Sequence, residues 1–204
     1  MDKKSLINLL KEERRLQSPA IIKAFELVPR EEFVPPQYKK FAYVDEPLPI
    51  GYSQTISAPS IVALMTELLK PKKSDKVLEI GSGSGYQAAI LSRLVKKVYT
   101  VEYFPELAAI ARRNLAKCGY KNVEIMNGDG NKGYEKEKPY HKIIMTCACE
   151  QIPKPLIRQL KVNGRLVAPV GSSWYQELTL LIKTESGIKT ETHGACVFVP
   201  LRKA

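Results

Sequence analysis

The chain has 204 residues, of which 44% are hydrophobic and 26% charged, and it carries a net charge of +11. That length fits one domain, or one domain with an extension, around a sizeable core. The composition excludes a collagenous or disordered chain, and no apolar stretch is long enough to span a bilayer. The 32 Lys and Arg residues are spread along the chain among 21 acids, which reads as a solvated basic surface before a nucleic-acid face.

In chain order, residues 3 to 16 place Leu6, Ile7, Leu9, Leu10 and Leu16 on an approximate helical stripe. The charged start lacks the apolar centre of a signal peptide, so a cytoplasmic protein is expected. Ser18-Pro19 reads as a helix start, cap then first-turn proline, and that helix should stop before Pro29. From Pro29 to Pro59 the prolines rule out long regular elements. Phe33, Phe41, Tyr43, Leu48 and Ile50 make this stretch an ordered arm rather than a linker. Ser60 to Leu69 is an amphipathic helix with Ser57 just before it. Ser57 reads as a helix cap and as a hydroxyl that, with free N–H groups, receives an anionic group, two roles that can coexist at one site.

Strands and helices then alternate. Val77 to Ile80, Lys97 to Glu102, Val123 to Met126, Lys142 to Ala148 and Arg165 to Val170 read as strands. Helices are expected over 87–95, over 106–118, and from Pro155 to near Gly164. The alternation predicts an α/β fold with a mostly parallel sheet. Glu177 to Lys183 and Ile188 to Val199 lack a helix between them and predict an antiparallel hairpin at the sheet edge. His141 is expected in a turn, His193 in that hairpin, and Trp174 as a packing or rim residue. Cys118, Cys147, Cys149 and Cys196 lack zinc-ribbon spacing, so small buried thiols and no metal site are expected.

The chain is organised around Val77-Leu-Glu-Ile-Gly-Ser-Gly-Ser-Gly-Tyr86, a short buried strand, a glycine turn and the start of a helix. The third glycine falls one position too early for a dinucleotide fingerprint, and no P-loop lysine follows. Glu79-x-Gly81-x-Gly83-x-Gly85 fits the first motif of S-adenosylmethionine-dependent methyltransferases instead. Glu102 ends the next strand, where a carboxylate can accept both hydroxyls of a ribose, and Asp129 ends the third, where it could face an adenine amino group. A nucleoside without phosphates suits this set.

The sequence resembles the protein-L-isoaspartate O-methyltransferases over nearly its whole length. The resemblance rests on Val28-Pro-Arg-Glu-Glu-Phe-Val34, Gln54-Thr-Ile-Ser57, Val77 to Gln87, Gly128-Asp-Gly130, Gly164 to Gly171 and Val199-Pro-Leu201. It implies a Rossmann-like class I methyltransferase over residues 1–204, with 1–70 as a helical arm covering substrate and cofactor and 71–204 as the nucleotide-binding core. It implies methyl transfer from S-adenosylmethionine to the α-carboxyl of L-isoaspartyl residues in damaged proteins, followed by succinimide formation. Ser57 matches the active-site serine. Ile56, Ser57, Glu79, Gly81, Ser82, Gly83, Gly85, Glu102, Asp129 and Gly130 match the cofactor site, and Val197 to Leu201 the substrate-facing strand. Ser53, Ser60, Cys147-Ala-Cys149-Glu150 and Val197 depart from the common family pattern. A monomer without nucleic-acid or membrane partners is expected. Two rivals keep the cofactor site: a methyltransferase for RNA or a small molecule, and a non-enzymatic partner protein.

Overall fold

The computed structural model describes residues 1–202. Two helices open the chain: α1 (Lys3–Glu12) and α2 (Pro19–Leu27). α1 buries Leu6, Ile7 and Leu10 on one stripe, each contributing roughly 1.5–3 kcal/mol on burial. Ser18 occupies the N-cap of α2, but its side chain does not cap the helix. It donates instead to Glu67, whose carboxylate also accepts the backbone N–H groups of Gln17 (2.8 Å) and Ser18 (2.7 Å). A charged acceptor from another helix outcompetes the local hydroxyl.

The proline-rich arm holds two short 3₁₀ turns, Arg30–Glu32 and Pro36–Phe41, and a small hairpin of β1 (Leu48–Gly51) and β2 (Gln54–Ile56). The hairpin turns on Tyr52 and Ser53, both with φ of 54°. The residue preference of such a turn is for Asn and Gly, which neither residue meets, so the sequence carried no hairpin signal. α3 (Pro59–Leu69) follows, with Ala58 rather than Ser57 at its N-cap.

The main sheet has seven strands in the order β5-β4-β3-β6-β7-β8-β9. They are β3 (Lys76–Ile80), β4 (Lys97–Glu102), β5 (Val123–Asn127), β6 (Tyr140–Met145), β7 (Leu160–Gly171), β8 (Gln176–Thr184) and β9 (Gly187–Cys196). The first five pair in parallel and the last two antiparallel. Among the described residues the helices between strands are α4 (Tyr86–Ser92), α5 (Pro105–Lys117) and α6 (Lys154–Gln159). Side chains of the central strands alternate between two apolar clusters: Val77, Val98 and Ile144 on one face, Leu78, Tyr99 and Ile143 on the other. Burial on both faces is why these strands read as continuous apolar runs. The first cluster also takes in Leu6, Phe25 and Phe33, so the N-terminal arm packs into the same core as the sheet.

Four details differ from the sequence reading. α6 stops at Gln159, not near Gly164, because Leu160 already pairs with Tyr140; residues 161–164 then bulge out of the β6–β7 ladder. His141 lies in β6, not a turn, and its Nδ1 accepts the backbone N–H of Lys76 at 3.0 Å. Trp174 is 88% exposed in the β7–β8 loop and packs against no core. β9 ends at Cys196, and residues 199–201 leave the hairpin to run beside Ala148.

Candidate active site

After β3 the chain adds β4 and β5 on one side, then crosses to place β6 on the other. Ligands of such sheets bind beyond the carboxyl ends of the strands at this reversal. An open cleft lies there. The ends of β3, β4 and β6 supply its floor through Ile80 to Ser84, Val101 to Phe104, and Thr146 with Cys147. Of the residues expected to hold a cofactor, Ile56, Ser57, Gly81, Ser82, Gly83, Glu102 and Gly130 line it.

The glycine turn is built for close approach. Gly81 has φ of 92°, and a Cβ there would lie 2.5 Å from Thr146 Oγ1. Gly85 caps α4 with φ of 93°, a left-handed conformation that L side chains rarely adopt, and its Cβ would press on Leu115 at 3.2 Å. Gly85 therefore shapes the turn from behind without lining the cleft.

Glu102 is 5% exposed, and its carboxylate is fixed by backbone. One oxygen accepts Gly83 N–H at 2.8 Å and the other Phe104 N–H at 3.1 Å. The anion thus occupies a turn N–H that a phosphate cradle would need, and it presents acceptors suited to hydroxyl groups. Arg202 is the one cation lining the cleft among the described residues.

Glu79 lies behind the turn, fully buried and outside the cleft lining. Neither carboxylate oxygen has a hydrogen-bond partner. Burial pushes its carboxyl up to about 8, and nearby Glu102 adds to the rise. Thr100, its register partner on β4, opposes the shift, although no hydrogen bond of ordinary geometry joins them. A carboxyl raised from 4.5 to about 8 binds its proton more tightly in the folded state. Its stabilising contribution is complete below the unfolded value and is lost as pH rises through the folded one. A Glu79→Gln variant, neutral at every pH, is expected to lose less thermal stability than the wild type between about pH 5 and pH 8. Melting curves at both pH values check this; parallel losses would show that Glu79 is charged in the fold.

Asp129 is the N-cap of a 3₁₀ turn (Gly130–Lys132), and its Oδ1 accepts from Asn131 N (2.9 Å) and Nδ2 (2.8 Å). The structure sets Gly130, not Asp129, against the cleft. Residues 199–201 form the rim. Ala148 N–H donates to Val199 O at 2.8 Å, and Leu201 N–H donates to Ala148 O at 2.7 Å.

Ser57 stands where two hollows meet. It lines the cleft, and it also lines a second hollow bounded by Pro47, Ile61, Val197 and Phe198; Thr55, Thr146 and Val199 are shared in the same way. Its carbonyl accepts from Arg30 Nη1 at 2.9 Å. Its hydroxyl takes no part in capping α3, because Ala58 holds that position.

Residues that sequence reasoning missed include Gln54, Tyr86, Tyr103, Phe104 and Thr146. Tyr103, Phe104 and Thr146 directly follow strands β4 and β6, so the rule that singled out Glu102 could have found them. Tyr86 gave no signal, since it reads as the apolar first turn of α4.

The chain matches the family described as Protein-L-isoaspartate(D-aspartate) O-methyltransferase over residues 1–204. It belongs to that family. A protein-L-isoaspartate O-methyltransferase 2 of Archaeoglobus fulgidus is 53% identical over 97% of this chain and 91% of its own length. A protein-L-isoaspartate O-methyltransferase of Staphylothermus marinus is 48% identical over 98% and 93%. A solved protein-L-isoaspartate O-methyltransferase structure superposes with a TM-score of 0.90 at 31% identity, covering 99% of this chain and 66% of that longer one. A Plasmodium falciparum structure described as a putative member, in complex with S-adenosyl-L-homocysteine, shares the fold at 23% identity, with a TM-score of 0.88 and full coverage of both chains. The protein-L-isoaspartate O-methyltransferase family thus accounts for the whole chain, and the fold is the Rossmann-like one of S-adenosylmethionine-dependent methyltransferases.

Proposed function

We propose that this member methylates the α-carboxyl of L-isoaspartyl residues in damaged proteins at the junction marked by Ser57. The observation that carries this reading is that Ser57 lines both the cleft at the glycine turn and the second hollow beside Val197–Val199. A group bound in one can meet a group bound in the other at this junction, which Thr55, Thr146 and Val199 also border.

The methyl donor of the family is S-adenosylmethionine, which supplies a methyl activated on a sulfonium centre. The cleft fits its nucleoside part. Glu102 offers hydroxyl acceptors, the bare backbone of Gly81 and Gly83 allows close contact, and Ile80, Val101 and Leu107 give apolar walls. Glu102 would hold the ribose hydroxyls, and Gly130 would border the base. At the junction the Ser57 hydroxyl donates to the acceptor carboxylate and holds one of its oxygens in line with the methyl. The carboxylate is already ionised at neutral pH, so no general base is required. Cys147 shares the cleft, but burial pushes its thiol well up. It stays protonated and does not compete for the methyl. Val197, Phe198 and Val199 line the second hollow, which would take the acceptor peptide. In the methyl ester methoxide can leave where a carboxylate would have to expel oxide, so the adjoining backbone nitrogen attacks the ester carbonyl, the C–OCH3 bond breaks, and the succinimide closes with release of methanol.

The same reading takes residues 1–70 as the cover of the site and 71–204 as its base, acting as one cytoplasmic monomer without nucleic acid. Its support is the apolar cluster that joins Leu6 and Phe25 to Val77 and Ile90. No helix among the described residues is long and apolar enough to cross a membrane. Labelled methyl transfer to a short isoaspartyl peptide and to its aspartyl twin tests the assignment. Base-labile label on the isoaspartyl peptide alone is expected. Label on neither peptide, with donor binding confirmed, would sink it.

A further inference from the structure

Arg30 is fully buried, an unusual place for a guanidinium. It sits in the 3₁₀ turn Arg30–Glu32 of the arm and points between two walls of the site. Nη1 donates to the Ser57 carbonyl at 2.9 Å, and Nη2 to the Glu46 carbonyl at 3.3 Å. The guanidinium carbon stands 5.1 Å from the centre of the Tyr86 ring, a cation–π contact that offsets part of its desolvation. Tyr86 lines the cleft on the donor side, and Ser57 marks the junction with the acceptor side. A second tether lies close by: Asp45 accepts the backbone N–H of Ser60 at 2.8 Å. The arm therefore grips the Ser57–Ser60 segment at two points, and at the first of them the grip is a rigid fork.

We infer that Arg30 is a positioning residue for methyl transfer, pinning the Ser57 carbonyl so that the Ser57 hydroxyl aims at the junction while tying it to the donor-side wall through Tyr86. This inference rests on the role of Ser57 given above. A burial this costly is hard to account for as packing alone, because a methionine of similar length would fill the space without desolvating a charge. What methionine lacks is the fork that fixes two carbonyls at once. Transfer is sensitive to such aim: a misplacement of about 1 Å can cost on the order of a hundredfold in rate.

The test is a double-mutant cycle of Arg30→Met and Ser57→Ala, read by single-turnover transfer of labelled methyl to an isoaspartyl peptide. S-adenosylhomocysteine binding is measured by calorimetry on the same samples. Arg30→Met is expected to lower kcat about tenfold to a hundredfold, with peptide KM and S-adenosylhomocysteine affinity changed far less. In the Ser57→Ala background the same change should cost little more, because Arg30 acts through Ser57. Wild-type kcat in folded Arg30→Met, or an equal fold-loss in both backgrounds, overturns the inference and makes Arg30 a structural residue. Normal turnover in Ser57→Ala instead removes the role of Ser57 itself, a separate failure read from a separate variant. If Arg30→Met does not fold, Arg30→Lys takes its place in the cycle; it keeps the charge but cannot span both carbonyls. Non-additivity with Ser57→Ala then supports the pinning role, and additivity overturns it.

Discussion

Replacing Ser57 by alanine is expected to reduce methyl transfer to an isoaspartyl peptide by about a hundredfold or more, while S-adenosylhomocysteine binding and thermal stability stay near wild type. The magnitude follows from loss of aim at the reacting carboxylate, where a misplacement of about 1 Å can cost on the order of a hundredfold in rate. The selectivity follows from what Ser57 does in the fold. Its structural contact runs through the backbone carbonyl to Arg30, which alanine retains. Its hydroxyl does not cap α3, so its removal leaves no helix end unsatisfied. Single-turnover transfer, calorimetry and a melting curve on one preparation separate the three effects. Unchanged turnover would take the hydroxyl out of the mechanism. Lost cofactor binding with the peptide site intact would move Ser57 wholly to the donor side.

Glu102→Gln should weaken S-adenosylhomocysteine binding by about a hundredfold, for two reasons that act together. The amide nitrogen must face either Gly83 N–H or Phe104 N–H, both of which now point at carboxylate oxygens. Leaving a buried N–H without an acceptor costs roughly 1–3 kcal/mol. The remaining oxygen is neutral and a weaker acceptor for ribose hydroxyls than a carboxylate. One loss disturbs the glycine turn, and the other removes charge-assisted bonds to the ligand. Calorimetry with S-adenosylhomocysteine and with adenine separates them: adenine does not reach the ribose acceptors and should lose much less. An equal loss for both ligands would mean that Glu102 serves the turn alone. Full affinity for both would remove it from the site.

These two residues show different routes from sequence to site. Glu102 was legible because it ends a strand one βα unit after a glycine turn, a position that topology converts into a ligand contact. Ser57 stood out on local pattern as a hydroxyl at a helix start, and the Gln54-Thr-Ile-Ser57 resemblance gave it the active-site role over that of a plain cap. The structure removes that alternative by putting Ala58 at the cap. Asp129 shared the strand-end logic of Glu102, yet its Oδ1 turned to Asn131. A short acid followed by Gly-Asn closes a local turn through one carboxylate oxygen.

What the sequence determined by itself was the order of the main-sheet strands and of the helices, and the cofactor class. Apolar runs broken by turns specify the strands, and a glycine turn without a P-loop lysine specifies a nucleoside without phosphates. Only the tertiary structure decided how distant pieces meet. Arg30 and Ser57 are 27 positions apart, and Ala148 and Leu201 lie at opposite ends of the last three strands. Such contacts depend on a buried charge finding carbonyls and on a chain end finding an open edge. Both are long-range hydrogen bonds, and no local period records them.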